Sequence, residues 1–291
     1  MYRCILCFVI FCLPALDALN ATTAEGLFTT HRPLTVGIIS AVSGESGRLL
    51  ELMKSPVSQE KGRRTYHRGS LHGIDTVLVS SRIGKVAAAI TATHLIVDYK
   101  VDLIVFIGVA GAIDRSLNVG DVVIANSLIQ HDMDARPFCP IHEIPLLKIK
   151  SCDPDPLLCH FSTKASKKFV GEDLVKNIPS HILNEFHITV PKVVSGLVVT
   201  GDQVVSQEAQ KIQLKEKLPE ALCVEMEGAG VGQVCYEYGV PLAVIRIISD
   251  YAQHQNTVVD VRKFVSMASG YYSEGIINNL YALILAQCEE V

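Results

Sequence analysis

The chain has 291 residues and a formal charge of −4, a balance that argues against nucleic acid as a partner. Hydrophobic residues make up 49% and charged residues 19%, which fits a compact globular protein and excludes a disordered one. The length suits one α/β domain with an ample core.

The N-terminus is laid out as a secretory signal peptide: Arg3 is followed by an apolar run of about thirteen residues, Cys4 to Leu16, and then by small and polar residues. That run is shorter than the roughly 20 apolar residues of a membrane-spanning helix. Residues 1–21 are therefore expected to be a cleaved leader and the mature protein to be exported, periplasmic or secreted, with no stable membrane insertion after cleavage. An uncleaved anchor or a mis-assigned start is the alternative. The domain proper is expected over 30–291.

Val36 to Ser40 reads as a short strand, followed by a Gly/Ser/Glu turn and a helix from about Ser46 to Lys54. The short basic run Lys61 to Arg64 reads as a solvated face. Tyr66–Leu71 and Thr76–Ser81 form a hairpin around His72-Gly73. Gly84 to Tyr99 is a helix with Val86, Ile90, Leu95 and Ile96 inward. Buried strands follow at Asp102–Gly108 and Asp121–Ile129. Residues 134–160, with five prolines, read as an ordered excursion or lid. Then come a helix near 161–176, a strand from His187 to Thr200, a helix from Gln207 to Lys217, a strand from Ala221 to Met226, a helix to Tyr238, a strand from Pro241 to Asp250, and a C-terminal helix from Val261 to Cys288. Strand runs alternating with helices predict a three-layer α/β sandwich around a mixed, largely parallel sheet.

Of nine cysteines, Cys4, Cys7 and Cys12 fall in the leader. Cys223 and Cys235 sit on apolar elements as buried thiols, and an oxidising compartment would allow one pair among Cys139, Cys152 and Cys159 to bridge. No C-x-x-C pair lies outside the leader, and His131, Asp132 and Asp134 do not complete a ligand set, so no metal is expected.

Two apolar strands end in charge. One closes on Glu225, Met226 and Glu227; the other ends on Ser249 and Asp250. Ligands in open α/β sheets bind outside the carboxyl ends of strands, so these carboxylates point to one crevice for a polar ligand.

V-E-M-E-G-A at 224–229 followed by I-S-D at 248–250 resembles the nucleoside phosphorylase/hydrolase family, and most of all its 5'-methylthioadenosine/S-adenosylhomocysteine nucleosidases. The similarity extends through V-G-I-I-S-A at 36–41, R-I-G-K-V-A-A-A at 82–89, F-I-G-V-A-G-A at 106–112, G-D-V-V-I-A at 120–125, Q-H-D-M-D at 130–134 and V-T-G-D-Q at 199–203. Six blocks in order make it specific.

The resemblance implies that fold, and cleavage of an adenine nucleoside without a cofactor. Asp250 would protonate N7 of the leaving purine, held by Ser249, with the apolar strand before it desolvating the acid. Glu45 would activate water on the opposite face of the ribose, as in two-carboxylate glycosidases; Ser43 and Gly44 before it depart from the family's acidic pattern. Glu227 would accept both ribose hydroxyls, Met226 would pack under the sugar, and Glu225 would either stand beside the nucleoside or serve structure. Val204 and Val205 would wall the adenine slot, Val204 replacing an aromatic residue. Ile83 and Phe138 would line the alkylthio end, and Phe138, reaching across an interface, implies a homodimer. The alternatives are phosphorolysis, with Arg82 and Arg246 as anion contacts, and an exported non-catalytic nucleoside-binding or storage protein.

Overall fold

The computed structural model describes residues 23–29, 33–250 and 257–289. The leader expected at 1–21 lies outside them. In chain order the elements are α1 (Ala24–Phe28), β1 (Thr35–Ser40), α2 (Ser43–Leu52), β2 (Lys54–Lys61), β3 (Arg64–Leu71), β4 (Ile74–Ser80), α3 (Lys85–Val97), β5 (Leu103–Ala112), β6 (Val122–Gln130), α4 (Pro156–Lys168), α5 (Leu174–Asn177), α6 (Ser180–Glu185), β7 (Val193–Thr200), α7 (Glu208–Lys217), β8 (Ala221–Glu225), α8 (Gly228–Tyr238), β9 (Leu242–Asp250), α9 (Thr257–Phe264) and α10 (Gly270–Glu289). One π-helical turn joins α4 to α5 and another joins α9 to α10.

The nine strands form one mixed sheet in the order β2-β3-β4-β1-β5-β8-β7-β6-β9, and β9 pairs back onto β5. Five strands thus close into a ring while β2, β3, β4 and β1 extend from it as an open wing. Closure needs β5 to serve two partners: Ile104 to Ala110 run parallel to β9, and after a register shift Gly111 and Ala112 pair antiparallel with β8. The alternation of side chains along each strand feeds two cores. Ile38, Val105, Ile107 and Ile245 face α2, α4 and α10, while Ile39, Phe106 and Val244 face α3 and α8. Each such fully buried side chain contributes about 1.5–3 kcal/mol. This is the three-layer α/β sandwich expected, with a partly closed central layer.

Several elements differ from expectation for physical reasons. β2 went unread because all but its last residue are exposed and it carries Pro56 at a register shift; it is an edge strand without apolar alternation. On α3 the buried residues are Ala88, Thr91, Ala92 and Leu95, while Val86 and Ile90 face out. The inner face is small because α8 crosses it closely: a Cβ at Gly230 would stand 2.9 Å from the Lys85 carbonyl oxygen. α4 begins earlier than expected, with Asp155 accepting from the N–H groups of Leu157 and Leu158 and Pro156 in the first turn. Pro191 keeps 187–192 out of β7. The excursion is ordered, with bridges Ile144–Ile149 and Leu128–Cys152. α1 extends the domain upstream of residue 30: its Ala24, Leu27 and Phe28 are buried, and the Ala24 N–H donates to Asp155 at 3.0 Å.

No disulfide joins the described cysteines: Cys139, Cys152 and Cys159 are free. The Cys159 thiol donates to the Ala125 carbonyl at 3.2 Å, and burial pushes both it and Cys152 up to about 12.

Candidate active site

Glu45 sits in the first turn of α2, with its side chain folded back over the end of β1. One carboxylate oxygen accepts from the N–H groups of Ala41 at 2.8 Å and Val42 at 3.0 Å, and the other from Val109 on β5 at 2.9 Å. An ionised carboxylate offers about four acceptor positions, so one remains, on the oxygen toward β5. Burial raises this carboxyl above its usual range, against the pull of those three donors and of Arg246. The departure at Gly44 has a packing cause: a Cβ there would meet Val265 Cγ1 at 2.9 Å.

Two glycines of β5 make room for the carboxylates. A Cβ at Gly108 would lie 2.8 Å from the Glu45 carboxylate, and one at Gly111 would lie 3.2 Å from each Asp250 oxygen. Two strand residues, Val109 and Ala110, lie between these glycines, so both acids stand along the C-terminal half of β5. Asp250 ends β9 and is 3% exposed. Ser249 donates to its Oδ1 at 3.1 Å, and Lys211 Nζ donates to Oδ2 at 2.9 Å. Lys211 was not foreseen. It lies on the buried side of α7 with Leu214, three residues on, and a lysine on an apolar helix face is the signal that was available.

Glu227 precedes α8 and accepts from the Gly84 N–H at 2.9 Å. Burial, then the adjacent Glu225 carboxylate, push it up to about 8, with Arg246 and the Gly84 N–H opposing. Ribose hydroxyls, as donors, would favour its ionised form.

Glu225 is tied into the fold by four donors. Its carboxylate accepts from the Thr200 hydroxyl, from the N–H groups of Glu227 at 3.0 Å and Gly228 at 2.7 Å, and from Arg246 Nη2 at 2.6 Å. Three of these donors converge on Oε2, and Oε1 takes only the Thr200 hydroxyl, so one acceptor position remains on Oε1. Arg246, weighed from sequence as an anion contact, is instead its buried counterion, stacked on the Phe106 ring at 3.9 Å. A lone arginine inside the apolar strand LAVIRIIS requires such a partner.

Val205 packs inward against a small cluster around Val199 and Leu214, whereas Val204 is mostly exposed on the loop after β7. Asp202 of that loop accepts from the Lys85 N–H at 2.9 Å, and Lys85 Nζ pairs with Asp132 at 2.6 Å, which ties the loop to the start of α3. Met226 is half-buried between the two glutamates. Ile83 lies beside Arg82 on the wall of a cavity next to Glu45. Phe138 lies on the ordered excursion and is 94% exposed.

A mixed α/β sheet with two acids flanking a glycine-relieved strand, and a third carboxylate beside them, defines a small-molecule lytic site. Residues 35–271 match the family model for the phosphorylase superfamily. A 5'-methylthioadenosine/S-adenosylhomocysteine nucleosidase of Colwellia psychrerythraea is 35% identical over 220 residues, 75% of this chain and 84% of that one. The structure of a Colwellia psychrerythraea nucleosidase in complex with adenine is similar at a TM-score of 0.75 and 30% identity, over 87% of this chain and 96% of that chain. The Neisseria meningitidis nucleosidase in complex with methylthio-immucillin-A gives 0.74 at 27% identity, over 85% and 98%. The chain belongs to the phosphorylase superfamily and, within it, to the 5'-methylthioadenosine/S-adenosylhomocysteine nucleosidases.

Proposed function

We propose that the protein hydrolyses the N-glycosidic bond of 5'-methylthioadenosine, S-adenosylhomocysteine or a related adenine nucleoside, releasing adenine and a thio-ribose. The observation that carries this is the pair of buried carboxylates, Glu45 and Asp250, seated over Gly108 and Gly111 of one strand. Asp250 gives a proton to purine N7 as the C1'–N9 electron pair leaves with the base. Glu45 takes a proton from the water whose oxygen bonds to C1', and Glu227 holds the ribose hydroxyls. Adenine leaves neutral, and the proton on Glu45 returns to Asp250 by way of solvent. The test is adenine release from methylthioadenosine with and without phosphate. Turnover that requires phosphate would move phosphorolysis ahead, and binding without turnover would favour a nucleoside-binding protein.

The working molecule is a homodimer on this reading. Phe138 and Leu146 are 94% and 96% exposed, and Val86 and Ile90 add apolar surface on the outer face of α3. Large apolar side chains so exposed mark an interaction surface.

Export is part of the same proposal. A chain cleaved within the expected leader keeps α1, whose Ala24, Leu27 and Phe28 are buried and whose cap is Thr23. Among the described residues no helix is long and apolar enough to cross a membrane. N-terminal sequencing of native protein decides the matter: a start near residue 22 supports cleavage, and an intact Met1 rules it out.

A further inference from the structure

α7 turns a lysine into the protein and an isoleucine out of it. Lys211 is 2% exposed, while Ile212, the next residue and about 100° further round the helix, is 41% exposed. Burying the isoleucine instead would spare the desolvation of an ammonium group, which is costly unless that group is paired. The helix is set for what Lys211 meets, the Asp250 carboxylate: Nζ donates to Oδ2 at 2.9 Å, and both side chains are 2% exposed. The Ser249 hydroxyl donates to Oδ1 at 3.1 Å, so the two donors between them fix the plane of the carboxyl at the end of β9.

The docking of α7 does not depend on this pair. One turn on, Lys215 Nζ donates to the Asp114 carboxylate at 2.8 Å and to the Ala221 carbonyl at 3.0 Å, which ties the helix to the segment after β5 and to the start of β8. Leu214 packs in the small cluster with Val199 and Val224, and Arg115 pairs with Glu208 at the head of the helix. A buried ion pair is in any case a weak source of stability, because desolvating both charges offsets most of their attraction. Its place on the acid gives it another use. When the Asp250 proton passes to purine N7, a carboxylate is left in a site closed to water, and an ammonium group already in position stabilises that charge without reorganisation.

We propose that Lys211 is a positioning residue for the acid that protonates the purine: it fixes the Asp250 carboxyl at the end of β9 and stabilises the carboxylate that remains once the proton has passed to N7. The proposal rests on the nucleosidase reading above. Lys211 acts through Asp250 and not on the substrate, so its effect belongs to the step in which the C1'–N9 bond breaks. Binding of the nucleoside, carried by Glu227 and the base slot, is independent of it.

The experiment is a double-variant cycle read in kcat and KM for methylthioadenosine: wild type, Lys211→Met, Asp250→Asn and the two combined. Lys211→Gln is added as a milder change that keeps an N–H donor without the charge, and thermal unfolding shows whether each protein is folded at the assay temperature. The expected result is a fall in kcat of about 10²-fold in Lys211→Met with KM little changed, and no further fall when the same change is added to Asp250→Asn. Lys211→Gln should lose kcat as well, since the charge carries the effect. A loss of equal size with and without the Asp250 carboxyl shows a role that does not pass through the acid and overturns the proposal. So does wild-type kcat in Lys211→Met, or a loss confined to KM. Failure of both Lys211 variants to fold would make the residue a requirement of the fold and overturn the proposal too. All of these outcomes leave the nucleosidase reading intact, whereas a wild type that releases no adenine overturns that reading itself.

Discussion

On the proposed mechanism Glu45 and Asp250 carry the chemistry, and each is held by groups that an isosteric amide disturbs little in shape. Asp250→Asn is expected to bind nucleoside and to lose about 10²-fold or more in kcat, the usual scale for a general acid. Glu45→Gln should lose hydrolysis to a similar or greater degree, and calorimetric titration with methylthioadenosine should still show binding; near-wild-type adenine release by either variant would remove that residue from the mechanism. Glu227 adds a pH dependence of stability. Its carboxyl stands at about 8 in the folded protein against an ordinary value of 4.5. Between those values the folded state keeps a proton that the unfolded chain has released, so stability falls as pH rises through that window. Burial raises Glu45 in the same direction. The Tm of the free protein should therefore decline from pH 5 to pH 8, and Glu227→Gln should flatten the decline; equal slopes in the two proteins would contradict the shift.

At the level of elements, most strands were legible because a buried strand in a covered sheet is a short apolar run, as in β5 and β9, and charge at the end of such a run betrays a site. β2 was illegible for the converse reason, since an edge strand buries nothing that leaves a pattern. The basic run Lys61 to Arg64 reads as a solvated turn in sequence, yet Arg64 is 8% exposed and Arg63 borders the cavity. Only a fold that brings the β2–β3 turn against the start of α3 supplies Arg64 with the carbonyls of Gly62, Ser81 and Ala87 to which it donates. Glu45, Glu227 and Asp250 were found through motifs, whereas Lys211 and the Arg246–Glu225 pair depend on elements distant in the chain. That pair joins β9 to β8 with both side chains all but inaccessible. Arg246→Met leaves the Glu225 carboxylate uncompensated and is expected to cost about 3–5 kcal/mol, measured as a shift in the urea midpoint. A second change, Glu225→Gln, should recover part of that loss, and a double variant no more stable than the single one would show that the two side chains are not coupled.

Across the whole molecule, Phe138, Leu146 and the Val86 and Ile90 side chains of α3 are among the large apolar groups left exposed. Sedimentation analysis should give a dimer for the wild type, and Phe138→Asp should shift it toward monomer with a fall in kcat/KM; a wild type that sediments as a monomer would refute the interface. The division of the sheet has a consequence of another kind. Asp250, Glu225 and Glu227 grow from strands of the closed ring, where every strand has two neighbours and a change in one strains the rest. The cavity is framed by the open wing, and its outermost strand, β2, has β3 as its one strand neighbour. Substitutions at such exposed positions usually change stability by no more than about 0.5 kcal/mol. Variation can therefore accumulate in β2 without loosening the ring from which the three carboxylates grow. The architecture separates the part of the protein free to diverge from the part that cannot.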